Sequence, residues 1–81
     1  MEEYTVRSPL PGVFYRQPAP GEQPFAEPGA SVAAGQVIGL VEIMKQFSEI
    51  KAEVAGVITA FLAENEAVIG AGDPVATIRE G

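Results

Sequence analysis

The sequence predicts an all-β domain made of two similar halves, a sandwich or barrel of short strands. Short β-type runs recur along the chain with Gly or Pro every few residues, and no stretch holds a 3.6-residue hydrophobic period. One half of the chain also repeats the other. At 81 residues the chain makes one small domain, residues 1–81, and a domain of this size buries only roughly 60% of its unfolded surface. Several short strands with Gly-bearing turns fit such a compact core.

Strands are expected at roughly 4–7, 12–16, 24–27, 37–43, 47–53, 56–63, 67–69 and 75–79. "AGQ" at 34–36 and "AGD" at 71–73 read as hairpin turns, with Gly supplying the positive φ that a Cβ resists. Around these turns "ASVAAGQVIGLVEI" (30–43) lies over "AVIGAGDPVATIRE" (67–80) at a constant offset of 37, matching Gly35 with Gly72, Val32 with Ile69 and Val41 with Ile78. The register runs back through "FAE" (25–27) and "LAE" (62–64), while "PGVF" (11–14) matches "AGVI" (55–58) at an offset of 44. The first half therefore carries seven extra residues, "QPAPGEQ" at 17–23. With Pro18, Pro20 and Gly21 this segment cannot easily continue a ladder and is expected to project as a stiff loop; its composition fits a tolerated surface loop equally well.

The segment joining the halves is "VEIMKQFSEI", residues 41–50, which puts Lys45 on a hairpin. With Met44 and Lys45 as its central residues, Ile43 pairs with Gln46, Val41 with Ser48, Gly39 with Ile50 and Val37 with Ala52 on one face. Glu42 with Phe47, Leu40 with Glu49 and Ile38 with Lys51 take the other. Ser48, Ile50, Ala52 and Val54 then point one way and Glu49, Lys51 and Glu53 the other, whereas residues 37–41 are apolar on both faces and leave the inward one open. Lys51, between Glu49 and Glu53, reads as a charge-balancing surface residue. Lys45 is different, because a two-residue hairpin demands positive φ that Met and Lys tolerate poorly. Sites where local sequence logic fails are often functional.

Composition removes whole classes of function. Five basic and eleven acidic residues give a net charge of −6, without the electrostatic footprint for nucleic acid or an anionic membrane; the acidity fits a solvated surface. With 47% hydrophobic and 20% charged residues the chain is expected to fold as a soluble globule. It has no Cys and no His, hence no disulfide, no thiol nucleophile and neither the commonest metal ligand nor the commonest general base. No catalytic or metal-ligating set is expected, and the protein serves chemistry that it does not itself perform. Glu64 and Glu66 read as parts of an ordinary solvated turn. "MEEYTVRSPL" lacks the features of a secretory signal or transit peptide, which sets a cytoplasmic expectation.

These residues resemble the biotin carboxyl carrier domains of the biotinyl/lipoyl fold, and most of all those of the bacterial acetyl-CoA carboxylase type. The resemblance runs from "SPLPGVFYR" (8–16) through "VEIMK" (41–45) and "EIKAEVAGVI" (49–58) to "GDPVATI" (72–78). "YRQPAPGEQPFAE" is similar to the Pro-rich thumb found in one half of that family. The resemblance implies a flattened β-barrel of two four-stranded sheets with quasi-two-fold symmetry, and biotin amide-linked to the lysine of an E-A-M-K-M type motif. Carried over, that lysine is Lys45, with Glu42, Met44 and Gln46 as the residues a ligase recognises and Pro18, Pro20 and Gly21 in the thumb. The implied partners are a biotin protein ligase, a biotin carboxylase and a carboxyltransferase that passes the carboxyl group to acetyl-CoA, another acyl-CoA or a small amide. The chain departs from the motif at Ile43, where Ala is usual, and at Gln46, where Met is usual. Glu42 is shared with lipoyl domains, but these carry Asp before the lysine and Ala after it, and this chain has neither. The other readings are a lipoyl carrier and an unmodified β-barrel interaction module.

Overall fold

The computed structural model describes residues 2–19 and 21–80; Pro20 lies outside the described residues. Eight strands follow in order: β1 (Glu3–Arg7), β2 (Gly12–Tyr15), β3 (Ser31–Val32), β4 (Val37–Ile43), β5 (Gln46–Lys51), β6 (Gly56–Phe61), β7 (Val68–Ile69) and β8 (Pro74–Glu80). They form two four-stranded sheets of order β1-β8-β6-β3 and β5-β4-β2-β7, antiparallel throughout. Moving each strand four places along the chain turns one order into the other, so the sequence repeat is a structural two-fold.

The core obeys the same two-fold. Val6 and Ile50, Phe14 and Ile58, Ile38 and Val75, and Val41 and Ile78 are equivalent pairs, and all eight are buried between the sheets. Two glycines permit the close approach of the strands. A Cβ on Gly12 would stand 2.2 Å from the Glu42 carbonyl oxygen, and one on its equivalent Gly56 would stand 2.3 Å from that of Arg79.

Three details differ from the sequence reading. The turns at 34–36 and 71–73 close no hairpin, since β3 and β4, and likewise β7 and β8, belong to different sheets and the chain crosses between them there. Residues 24–27 form no strand; the edge strand is β3, at 31–32. Pro24 and Pro28 bracket the segment and lack ladder donors, and the Phe25 N–H turns back to the Arg16 carbonyl at 2.8 Å. The hairpin register holds from Ile43–Gln46 to Gly39–Ile50, then shifts, so that Val37 stands opposite Lys51 instead of Ala52. This irregularity at Ile38 turns its side chain into the core, fully buried, where a regular strand would have faced it outward beside Lys51. The inward face of β4 is thereby decided: Val41 is buried, while Leu40 and Glu42 lie on the outer side with partial exposure.

Candidate functional site at the β4–β5 hairpin

The turn between β4 and β5 is two residues long, and both residues are left-handed, Met44 at φ 51° and Lys45 at φ 65°. This is the conformation that a tight hairpin requires and that Asn-Gly satisfies more cheaply. A residue other than glycine held in this region costs about 1–3 kcal/mol. Neither side chain offsets that cost by packing, since Met44 is 89% exposed and Lys45 is exposed. Among the described residues Lys45 joins no ion pair, whereas Lys51 reaches Glu49 at 3.7 Å. Glu53, the other expected neighbour of Lys51, instead accepts a hydrogen bond from Tyr4.

Beneath the tip the outer surface of the sheet is tied together. The Tyr15 hydroxyl donates to Glu42 Oε1 at 3.0 Å, and its ring lies 6.1 Å from that of Phe47, tilted by 51°, within the range of favourable aromatic pairs. The hydrogen bond to Glu42 raises the Tyr15 pKa, with burial and the charges of Glu42 and Glu66 adding to it. Gln46 opens β5 opposite Ile43, exposed beside the lysine.

The loop 17–23 leaves the barrel through a closed neck, made by the Phe25 N–H to the Arg16 carbonyl. The Arg16 N–H donates to Asn65 Oδ1 at 2.8 Å, and its guanidinium lies 4.3 Å from the centre of the Phe61 ring, a cation–π contact. Within the loop, the Gln17 side chain and the Glu22 N–H both donate to the Ala19 carbonyl, at 3.2 and 3.1 Å. Pro18 and Gly21 are exposed. Gln17, Pro18 and Ala19 face Tyr15 and Phe47 across a cleft of about 260 Å³, completed by Asn65 and Glu66. The loop thus stands beside the strand that carries the tip.

Tyr15, Phe47 and Asn65 were not singled out by the sequence reading; Glu66, read as a solvated turn residue, is exposed in a turn and also lines the cleft. Glu66 has φ 69° and its repeat equivalent, Gly29, has φ 91°. A glutamate aligned with a left-handed glycine was the available signal.

A family model described as "Biotin-requiring enzyme" matches residues 4–78. The chain belongs to the biotin-requiring family. The chain is 41% identical over 73 residues to the biotin carboxyl carrier protein of acetyl-CoA carboxylase 2, chloroplastic, of Arabidopsis thaliana, covering 90% of this chain and 29% of that protein. It spans less than half the length of the curated relatives it matches, between 27% and 48%. A single-chain, multi-domain long-chain acyl-CoA carboxylase superposes with TM-score 0.81 at 25% identity, over 98% of this chain and 7% of that one. Kluyveromyces lactis urea carboxylase does so with TM-score 0.79 at 28% identity, over 98% and 6%. Biotin is the cofactor that this family requires, and an exposed primary amine on a two-residue hairpin tip fits its attachment through an amide.

Proposed function

We propose that this chain is the biotin carrier domain of a biotin-dependent carboxylase, with biotin joined to Lys45. The observation that carries the reading is the exposed Lys45 amine, held at a left-handed hairpin tip between two halves of a rigid barrel. A biotin protein ligase forms the amide between Lys45 Nζ and the activated carboxyl group of biotin, with the leaving group and a proton released in the ligase's site. Glu42, Met44 and Gln46 surround the amine as the surface the ligase reads. When bound, biotin supplies a ureido nitrogen that takes up and gives up a carboxyl group.

The chain's own contribution is presentation. The hairpin fixes where the arm begins, and the lysine side chain gives it reach. Tethering places the cofactor at roughly millimolar local concentration for a biotin carboxylase and then a carboxyltransferase, as in acetyl-CoA carboxylase. Catalytic groups belong to those partners, and the loop 17–23 is the thumb of a single biotinyl domain. Gln46 sets the rate of modification without changing its identity, so Gln46→Met is expected to speed biotinylation.

The test is to offer the biotinylated chain to a bacterial biotin carboxylase with ATP and labelled bicarbonate. Label is expected on the biotinylated chain and not on the unmodified one. A chain that a lipoyl ligase modifies readily and a biotin ligase does not would overturn the reading in favour of a lipoyl carrier.

A further inference from the structure

The two-fold of the barrel allows the outer face of one sheet to be compared with that of the other, position by position. One residue pair below the tip, a row crosses all four strands of the sheet β5-β4-β2-β7. Phe47 stands opposite Glu42, Glu42 opposite Val13 and Val13 opposite Val68. The equivalent row of the other sheet is Glu3, Arg79, Val57 and Ser31. The next row repeats the contrast: Glu49, Leu40 and Tyr15 are matched by Thr5, Thr77 and Thr59. Those polar groups satisfy one another, the Thr59 hydroxyl donating to Glu3 Oε2 at 3.0 Å.

The two sheets have equivalent strand orders, so a barrel of this shape does not require an apolar outer face. Phe47 is 58% exposed and Val68 83%, and burial on folding accounts for little of their presence. Single exposed apolar residues are normal, but these lie in one row, roughly 14 Å long at three strand spacings, with Ile43 and Met44 above it at the tip. A contiguous apolar patch of this kind marks an interaction site. Its charges are of one sign. Glu42 and Glu49 are the ionised groups of the two rows, Glu66 adds its charge near Tyr15, and Lys51, farther along β5, is engaged by Glu49 at 3.7 Å. An acidic face of this kind repels a second copy of itself, an anionic membrane and nucleic acid. It fits a protein surface with an apolar centre and a cationic rim.

We propose that this face, and not its two-fold mate, docks the subunit that carboxylates biotin: Phe47, Val13 and Val68 lie against an apolar patch at the mouth of that enzyme's site, and Glu49 faces its lysines and arginines. The proposal rests on the assignment of biotin to Lys45. The loading subunit holds two anions together, ATP and bicarbonate, which takes cationic side chains around its site. The face begins directly beneath Lys45, so a partner seated on it has the arm beside it.

The repeat itself supplies the variants. Val68→Ser and Glu49→Thr each install the residue found at the equivalent position, both sites are exposed, and neither lines the cleft of the loop 17–23. After intact mass establishes one biotin per chain, the KM of a bacterial biotin carboxylase for the biotinylated chain is measured with ATP and bicarbonate. In the double variant it is expected to rise about tenfold with kcat near wild type, the mark of lost docking. Val57→Ser on the other sheet is expected to leave it unchanged. Added salt is expected to raise the wild-type KM, and to raise that of Glu49→Thr less. An unchanged KM in the double variant, an equal rise in Val57→Ser, or a wild-type KM indifferent to salt overturns the proposal and leaves the carrier assignment standing. A defect confined to biotinylation or to carboxyl transfer gives the face to the ligase or the carboxyltransferase instead. A wild-type dimer in sedimentation that the double variant loses gives it to a second copy. A chain whose mass shows no biotin overturns both readings. Should the double variant fail to fold, the salt dependence of the wild-type chain decides.

Discussion

The Tyr15 hydroxyl donates to Glu42 Oε1 at 3.0 Å and so links β2 to the outer face of β4 just before the hairpin. With Phe47 against the same ring, three adjacent strands share one fastening beneath the lysine. For the arm proposed on Lys45, this contact would form part of the mount.

Tyr15 reports on that fastening through its titration. Its pKa is raised, first by the bond to Glu42, so the fold favours the protonated phenol. The stabilisation is fully present below the unfolded tyrosine value of about 10 and is lost as pH rises through the higher folded value; it is therefore constant across neutral pH. In a Tyr4→Phe background, spectrophotometric titration is expected to place the Tyr15 midpoint above 10, with Glu42→Gln bringing it back down. A midpoint at or below the usual value would contradict the contact.

Met44 is strained and almost fully exposed. Met44→Gly removes a left-handed penalty of about 1–2 kcal/mol and adds about 0.5–1 kcal/mol of chain entropy lost on folding. A net gain of between about 0 and 1.5 kcal/mol, seen as a raised midpoint, is expected from thermal unfolding. Biotinylation by ligase is expected to slow at the same time. A more stable and less modifiable variant is the signature of strain kept for recognition.

Gly12 and Gly56 are predicted to behave alike. At both, a Cβ would meet a carbonyl oxygen of the neighbouring strand, at 2.2 and 2.3 Å, so each Ala substitution is expected to cost more than about 2 kcal/mol in urea unfolding, the range of severe overpacking. Gly70, where the nearest atom would be 3.5 Å away on the Asp73 side chain, serves as the control, with a change within about 0.5 kcal/mol.

Deleting 17–23 removes one wall of the cleft and leaves the barrel. The second half closes the equivalent β unit without these residues, and shortening a loop changes closure entropy by only about 0.6 kcal/mol per halving. Thermal stability and biotinylation are expected to stay near wild type while carboxyl transfer with the partner subunits falls. Equal transfer rates would reduce the loop to a passive connection.

The repeat carried most of the fold in the sequence, because equivalent core positions such as Val41 and Ile78 must face the same interior. The hairpin register was legible down to Gly39 with Ile50, where alternation dictates facing, and failed at Ile38, where one irregular residue moves a side chain from surface to core. The strand expected at 24–27 failed because apolar Phe25 and Ala26 serve the neck of the loop and the edge of the core instead of a ladder. Lys45 stood out as a residue that violates turn chemistry. Glu66 violates it in the same way, but its turn carried no motif, and its meeting with Tyr15, Phe47 and Pro18 depends on contacts between distant parts of the chain.

The central claim is that Lys45 alone carries the cofactor, and peptide mapping by mass spectrometry after co-expression with biotin ligase and excess biotin tests it most directly. A single biotin on the peptide containing Lys45, and none on a folded Lys45→Arg variant, is the predicted result. Biotin on Lys51, or an unmodified Lys45 in a folded chain, would contradict it.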